Sequence, residues 1–246
     1  MIDGGQVYMN EGIFISSFCT VLGAIPALFL KNISHKLKDS ILAYSAGIMV
    51  AASTYGLIPS TLKLSNMFVL TIGMVLGVII LTIIESTLPH VDLYHSQRRF
   101  NPRNLLIILA MGIHNIPEGL STGVSYASSS DNLGQLVSFA IGLQNFPEGF
   151  LIAFFLITIG NSKAKAFFYT LITGMMELFA SIIGVKFIGK FEWIIPYGLA
   201  FAAGAMLFVV YKEIIPESHG DGNERAATFS FILGLISMVG LTQWIR

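Results

Sequence analysis

The sequence predicts an all-α membrane protein with eight transmembrane helices. Hydrophobic residues make up 54% of its 246 positions and charged residues 11%, and the mean hydropathy is +0.74. A soluble domain of this length does not need so much apolar surface, whereas a chain surrounded by lipid does. Apolar stretches of about 20 residues, the length that crosses a bilayer core about 30 Å thick, recur along the whole chain.

The first three spans are bounded by polar runs. Span 1 is predicted at about 10–30, span 2 at about 40–62 and span 3 at about 67–89. Polar residues at 31–36, 61–66 and 85–103 separate each of these spans from the next one. Span 1 has no basic residue before it, so it is expected to be a retained helix rather than a cleaved signal peptide.

The remaining five spans occur at similar spacing. Their predicted limits are about 104–126, 135–159, 164–186, 192–216 and 226–245. The runs 128–132, 161–163 and 219–223 are rich in Ser, Asn, Asp and Gly, as loops are. No connection is long enough to fold alone, and residues 1–246 are therefore predicted to form one transmembrane domain.

Composition excludes several other classes of protein. The 14 basic and 14 acidic residues balance, so the chain lacks the basic field that nucleic acid requires. Cys19 is the single cysteine, which excludes an internal disulfide and a site built from several thiolates.

Basic residues predict the orientation. Ten of the 14 come after odd-numbered spans, and four lie on the opposite side. Because positively charged loops stay in the cytoplasm, both termini are expected to be extracytoplasmic. The short chain carries no targeting extension, which favours a bacterial plasma (inner) membrane. The ten are Lys31, Lys36, Lys38, Arg98, Arg99, Arg103, Lys163, Lys165, Lys212 and Arg225.

One short pattern occurs twice inside the spans. Residues 112–119 read GIHNIPEG, and residues 142–149 read GLQNFPEG. A carboxylate beside a helix-breaking proline is costly in hydrocarbon, so two matching placements indicate a polar site inside the membrane. Each proline is expected to break its helix and to free the carbonyl four residues earlier, at Ile113 and Leu143.

Depth and spacing bring these polar residues together. With a rise of about 1.5 Å per residue, Glu118 lies roughly 21 Å and His114 roughly 15 Å into span 4, near the middle of the membrane. Residues four apart share a helix face. The same rise per residue places polar residues of spans 5 and 6 at this depth. The candidate metal ligands are His114, Asn115, Glu118, Gln144, Asn145, Glu148 and Glu177.

The donor set is one imidazole with carboxylates and amide oxygens, which suits a divalent transition metal of borderline hardness. A single intramembrane glutamate can instead be a protonated structural partner of an asparagine, and three at one depth argue against that reading. His114 alone can be a core histidine whose ring nitrogens are hydrogen-bonded. The carboxylate of Glu118, four residues later, instead favours a role as a metal ligand.

Other polar or sulfur residues have two readings each. Met49 is either core packing or a thioether ligand. His90 and His95 are either solvated loop residues or transient metal ligands. Glu213, Glu217 and His219 at the end of span 7 are either an exit relay or a polar cluster at a helix end.

These motifs resemble the ZIP (Zrt/Irt-like protein) metal transporters, and within them the GufA-like branch. The likeness covers almost the whole chain, including Ala46-Gly-Ile-Met with Ile58-Pro59 in span 2 and Ala203-Gly-Ala-Met with Ile215-Pro216 in span 7. It implies a homodimer and an elevator-like movement of the helices that carry the site against static helices.

The resemblance also implies a binuclear centre. One metal is expected at His114, Glu118, Gln144 and Glu148, with Met49 at a position that supplies a thioether in some members. The second is expected at Asn115, Asn145 and Glu177, with Glu118 and Glu148 bridging. Other branches have histidine where this chain has Gln144, so the site is expected to be harder and to accept Fe²⁺, Mn²⁺, Co²⁺ or Cd²⁺ besides Zn²⁺.

The sequence therefore predicts a transporter, not an enzyme, that moves a divalent metal, first of all zinc, into the cytoplasm by alternating access. Two alternatives stay open. An intramembrane metallohydrolase also needs polar residues at mid-depth, although one histidine is few for a catalytic zinc site. A metal-binding membrane sensor without transport is the other.

Overall fold

The computed structural model describes residues 4–30, 32–87, 102–128 and 132–245, and all regular structure in these ranges is helical. Eight long helical segments succeed one another, as the sequence predicts. They are α1 (Gly4–Ala27), α2 (His35–Ala51) continued by α3 (Ile58–Leu64), α4 (Met67–Thr87), α5 (Pro102–Ala127), α6 (Leu133–Thr158), α7 (Lys163–Lys186), α8 (Ile195–Val209) continued by α9 (Ile215–Ser218), and α10 (Glu224–Ile245).

Six segments of the described chain are long and apolar enough to cross a membrane. Residues 11–27 of α1 form a shorter apolar helix, and α5 is 26 residues long. A helix of 20 residues or more spans the hydrocarbon core, so the structure supports a helical membrane protein. The six are His35–Leu64, Met67–Ser86, Leu133–Thr158, Lys163–Lys186, Glu192–Ser218 and Glu224–Trp244.

Polar side chains begin several of the helices. Ser34 Oγ accepts a hydrogen bond from the Leu37 amide at the start of α2, and Ser162 Oγ does the same for Lys165 in α7. Asn66 Oδ1 accepts from the amides of Phe68 and Val69 at the start of α4. Each cap satisfies amides that have no partner within the helix.

Two π-helical turns precede Ile-Pro pairs. Residues 52–57 join α2 to α3, where the Ile58 amide bonds to Ser53, and residues 210–214 join α8 to α9, where Ile215 bonds to Val210. The next residue is proline in both cases and has no amide hydrogen. A wider turn accommodates the proline ring without ending the helix.

Pro117 and Pro147 behave differently from the expectation of broken helices. Both lie inside α5 and α6, which continue as α-helix on either side of them. The predicted break is therefore wrong for both. Each proline still removes one amide donor, which leaves the carbonyl four residues earlier without its helical partner.

The helices pack in pairs that repeat between two halves of the chain. The most extensive contacts join α1 with α6, α5 with α7, α2 with α10 and α4 with α8. Exchanging α1 with α7, α2–α3 with α8–α9, α4 with α10 and α5 with α6 converts these pairs into one another. Consecutive spans cross the membrane in alternating directions, so the two segments of each exchange run in opposite directions. The contacts therefore describe an inverted repeat.

Glycines allow these pairs to approach closely. A Cβ atom on Gly149 of α6 would lie 1.9 Å from the Thr20 carbonyl of α1, and one on Gly47 of α2 would lie 2.1 Å from the Phe231 carbonyl of α10. Small residues are a common means of close helix packing in lipid. The segment α6 is largely buried, whereas few residues of α4 and α10 are buried, so the centre of the bundle lies around α6.

Candidate metal centre

The seven predicted ligands lie on three adjacent helices. Three are on α5, three on α6, and Glu177 is on α7. Glu118, Gln144, Asn145 and Glu177 are no more than 1% exposed, and Asn115 is 3% exposed. His114 and Glu148 are partly exposed. Helical periodicity thus predicts correctly that these residues turn inward.

An amide–carboxylate contact joins α5 to α6. Gln144 Nε2 donates a hydrogen bond of 2.5 Å to Glu118 Oε1. Both side chains are buried, and the Ser121 hydroxyl donates to the Glu118 main-chain carbonyl beside them. This contact joins the two repeated motifs directly.

A second amide joins α6 to α7 and to α1. Asn145 Nδ2 lies 2.7 Å from Glu177 Oε2 and 3.1 Å from the Ser16 carbonyl oxygen. Ser16 is not among the residues predicted from the sequence, because its main-chain oxygen, rather than its side chain, accepts this hydrogen bond. The polar centre is therefore surrounded by four helices rather than by the three expected.

Several buried oxygens of this centre accept no hydrogen bond from the described residues. They are Glu118 Oε2, Gln144 Oε1, Asn145 Oδ1, Glu148 Oε1 and Glu177 Oε1. Buried polar atoms are costly when unpartnered, and more so where water is scarce. Carboxylate and amide oxygens in this arrangement are a donor set that a divalent cation can satisfy.

His114 has a different partner from the one expected. Its Nε2 lies 2.7 Å from Glu213 Oε2, in the π-helical turn between α8 and α9. The sequence groups Glu213 with the residues at a helix end, and the structure instead brings it to the edge of the centre. Among the described residues, no three His, Cys, Asp or Glu side chains converge as they would around a bound ion.

The other candidates make different contacts. Met49 is 1% exposed and packs in the apolar core with Ala46 and Met206. Glu217 contacts Lys38 Nζ at 3.3 Å, and His219 Nδ1 lies 2.9 Å from the Ile215 carbonyl. Glu213, Glu217 and His219 thus have separate partners. His90 and His95 lie outside the described residues.

A charged cluster fastens the start of α2 to the connection between α9 and α10. Lys38 Nζ lies 2.6 Å from Asp221 Oδ2, and His35 Nδ1 lies 2.9 Å from the same oxygen. Asn223 donates a hydrogen bond to buried Asp39. The hydrogen bonds from Lys38 and His35 lower the pKa of Asp221 from 3.8 to about 2.

A chain whose described residues form helices, and whose spans bring the three carboxylates of Glu118, Glu148 and Glu177 into one polar centre, falls in the class of membrane transport proteins, because ionisable groups within spans mark ion pathways. The family model "ZIP Zinc transporter" matches residues 89–242. The chain is also 34% identical over 236 residues to the zinc transporter GufA of Myxococcus xanthus, a match that covers 90% of this chain and 92% of GufA.

Two further relatives agree. The zinc transporter ZIPB of Bordetella bronchiseptica is 34% identical over 236 residues, which cover 90% of this chain and 76% of ZIPB. The human zinc transporter ZIP11 is 42% identical over 145 residues, 56% of this chain and 42% of ZIP11. The chain belongs to the ZIP zinc transporter family. It is thus an integral membrane transporter rather than an enzyme, and the predicted GufA-like resemblance is confirmed.

Proposed function

We propose that this protein carries a divalent transition metal, first of all Zn²⁺, into the cytoplasm by alternating access through the centre between α5, α6 and α7. The relatives GufA, ZIPB and ZupT of Streptococcus mutans are named zinc transporters. The observation that carries the proposal is the set of buried carboxylate and amide oxygens that accept no hydrogen bond from the described residues.

Binding requires local exchange of partners. Gln144 presents its amide nitrogen to Glu118, and only its oxygen can be a metal ligand. A cation between Glu118 and Glu148 would replace that hydrogen bond and turn Oε1 of Gln144 inward. His114 would leave Glu213 to complete the first ligand set.

A second ion is proposed beside the first. It would be held by Asn115, Asn145 and Glu177, with Glu118 and Glu148 bridging the two ions. In this proposal the Asn145–Glu177 hydrogen bond keeps these side chains oriented until a metal arrives.

Metal choice depends on the donors. A site with one imidazole among oxygen ligands is less selective for zinc than a site with several histidines, so Fe²⁺, Mn²⁺, Co²⁺ and Cd²⁺ are proposed as further substrates.

The orientation in the membrane is also proposed. The connections after α1, α4, α6 and α9 face the cytoplasm, and both termini lie outside a bacterial plasma membrane. We call the side with these four connections the basic end.

The direction of release depends on this orientation. His114 lies one helical turn closer to the basic end than Glu118, because α5 starts there. Its contact with Glu213 extends the polar centre toward the same end. We therefore place metal release on this side.

Alternating access is proposed to occur between two groups of helices. The moving bundle is α1, α5, α6 and α7, and the frame is α2, α3, α4, α8, α9 and α10. The closest glycine contacts join helices within one group, such as Gly149 with Thr20 and Gly47 with Phe231. Contacts that lock neighbours together within each group leave the boundary between the groups as the surface along which they move.

A homodimer remains a proposal that rests on the family resemblance. The exposed apolar faces of α4 and α10 offer surfaces for lipid or for a second copy. Measuring the mass of the protein in lipid nanodiscs distinguishes one copy from two.

Zinc flux into liposomes tests the proposed function. Purified protein is reconstituted with a zinc-sensitive dye inside the vesicles, and Glu118→Ala and Glu148→Ala are compared with wild type. Both variants should lose flux while they remain folded, because each removes a carboxylate ligand. Glu192→Ala is the matched control, since Glu192 is exposed outside the centre.

Retained flux in the Glu118 or Glu148 variant would remove that residue from the mechanism. Zinc binding without flux in the wild-type protein would favour the sensor.

A further inference from the structure

The two halves of the chain repeat one another in sequence as well as in packing. Residues 46–49 of α2 read AGIM, and 157 positions later residues 203–206 of α8 read AGAM. The Ile-Pro pair at 58–59 recurs at 215–216 with the same spacing, and the motifs of α5 and α6 are 30 positions apart. These two spacings give residues of one half a counterpart in the other half.

Glycine contacts show that counterparts also occupy equivalent places in the structure. A Cβ on Gly47 would lie 2.1 Å from the Phe231 carbonyl oxygen. One on Gly204, the counterpart of Gly47, would lie 2.4 Å from the carbonyl oxygen of Met74, the counterpart of Phe231. The same contact therefore occurs in both halves, so the spacing of 157 positions also holds in three dimensions.

Thr20 of α1 is, by this spacing, the counterpart of Glu177 of α7. A Cβ on Gly149 of α6 would lie 1.9 Å from the Thr20 carbonyl oxygen. A Cβ on Gly119 of α5 would lie 2.2 Å from the Glu177 carbonyl oxygen. These two glycines are the last residues of the two repeated motifs. Thr20 therefore lies against the α6 motif in the way that Glu177 lies against the α5 motif.

The Thr20 side chain is buried between α6 and α7. Thr20 is 1% exposed, and its Oγ1 has no hydrogen-bond partner among the described residues. Its Cβ lies 3.6 Å from the position of a Cβ on Gly174, one turn before Glu177. A buried threonine hydroxyl in a helix can bond to the carbonyl four residues earlier, as Thr170 does to Ala166 in α7. The Thr20 hydroxyl makes no such bond, so it is available as an oxygen donor.

We propose that Thr20 is a side-chain donor of the metal centre, the neutral counterpart on α1 of the Glu177 carboxylate on α7. This inference rests on the proposed function, because it requires that the centre bind metal. Asn115 and Asn145 are counterparts as well, and Asn145 donates a hydrogen bond to Glu177. The repeat therefore assigns Asn115 to Thr20 as it assigns Asn145 to Glu177.

A neutral donor at this place limits the charge of the centre. A hydroxyl oxygen has lone pairs for a cation but carries no charge, so Thr20 adds an oxygen without adding to the three carboxylates. A fourth carboxylate would attract a divalent ion more strongly and slow its release. Thr20→Glu in the otherwise unchanged protein should therefore bind Zn²⁺ more tightly and transport it more slowly than wild type.

Exchanging the two counterparts tests the assignment. Glu177→Thr should weaken Zn²⁺ binding by about ten-fold or more, because the centre loses a carboxylate. Adding Thr20→Glu to that variant should restore most of the loss, because the introduced carboxylate occupies the equivalent place beside Asn115. Competition for Zn²⁺ against a chelating dye measures the Kd of each purified protein in detergent, and thermal unfolding confirms that each is folded.

Thr170→Glu is the matched control for the exchange. Thr170 is also a buried threonine of the moving bundle, but it lies about two helical turns before Glu177. Adding Thr170→Glu to Glu177→Thr should leave Zn²⁺ binding weak. A carboxylate that restores binding from either position would show that the position of Thr20 has no special role, and would overturn the proposal.

Thr20→Val and Thr20→Ser test the hydroxyl itself, and they remain informative if the glutamate variants do not fold. Valine keeps the shape without the oxygen and should weaken Zn²⁺ binding by about ten-fold, whereas serine should bind as wild type does. A folded exchange variant that binds as weakly as Glu177→Thr, or a Thr20→Val variant with wild-type affinity, overturns the proposal. Wild-type protein that binds no Zn²⁺ would instead contradict the proposed function, so the two failures are distinct.

Discussion

At the scale of single residues, Gln144 and His114 make the two motifs unequal. They occupy matching positions four residues before Glu148 and Glu118. An imidazole is a borderline ligand, whereas an amide oxygen is a hard one. This difference makes the pair the expected determinant of metal preference.

Gln144→His should therefore raise the preference for Zn²⁺ over Mn²⁺. The second imidazole adds a nitrogen ligand that zinc favours more than manganese does. Competition binding of the two metals to the purified protein measures the ratio. Gln135→His is the matched control, because Gln135 lies on the same helix and is exposed. An unchanged ratio would show that Gln144 does not contact the metal.

The sequence predicts which residues of the site are buried, but not all of the contacts that they make. Helical spacing places Glu118, Gln144 and Glu177 inward, and all three are buried. The same spacing pairs His114 with Glu118, but the structure pairs His114 with Glu213, 99 positions away. Contacts between distant helices depend on packing, which a periodic pattern does not encode.

At the scale of helices, glycines control how closely neighbours approach. Gly149→Ala would place a methyl group 1.9 Å from the Thr20 carbonyl and push α1 away from α6. We expect a loss of about 1–3 kcal/mol in the free energy of unfolding from this overpacking. Thermal unfolding in detergent measures it.

Gly240→Ala in α10 is the control, because no atom lies within 4 Å of a Cβ at that position. Its unfolding temperature should stay the same or rise slightly, since alanine favours a helix over glycine by about 1 kcal/mol. Equal losses at Gly149 and Gly240 would contradict the role given to close helix contacts.

The charged cluster at the start of α2 should stabilise the protein in a pH-dependent way. The pKa of Asp221 is lowered to about 2 in the folded protein. Its stabilising contribution is therefore fully present above its unfolded pKa of about 3.8 and lost as the pH falls toward 2. The unfolding temperature of wild type should exceed that of Asp221→Asn at neutral pH.

That difference should shrink between about pH 4 and pH 2. Thermal unfolding of both proteins across this range checks it. A difference that stays constant down to pH 2 would mean that Asp221 is not stabilised by Lys38 and His35.

The helices themselves are easier to predict than their irregularities. Long apolar runs and polar boundaries indicate all eight segments, because span length depends on bilayer thickness. The effect of proline is less predictable. Pro59 and Pro216 come after π-helical turns, whereas α5 and α6 continue through Pro117 and Pro147. Neighbouring helices decide how each helix accommodates the missing amide.

At the scale of the whole molecule, the proposed moving bundle and the proposed frame each contain two of the four packing pairs. The sequence hints at the repeat through its paired motifs, but it does not show which helices pack together. Those pairs come from the three-dimensional contacts, and they make the movement testable.

A reversible cross-link between the moving bundle and the frame tests alternating access most directly. Val124 of α5 and Gly198 of α8 face each other, with a Cβ on Gly198 3.1 Å from Val124 Cγ1. Both are changed to cysteine, and Cys19 to serine. Within the moving bundle, Gly142→Cys can pair with native Cys19, because its Cβ would lie 4.0 Å from that of Cys19, inside the usual range of about 3.5–4.5 Å.

Zinc flux into liposomes is then measured before oxidation, after oxidation and after reduction. Oxidation of the Val124–Gly198 cysteine pair should stop flux, and reduction should restore it. The Cys19–Gly142 cysteine pair should transport in both states. Full flux with the Val124–Gly198 cross-link in place would contradict movement of α5 against α8, and with it the proposed mechanism.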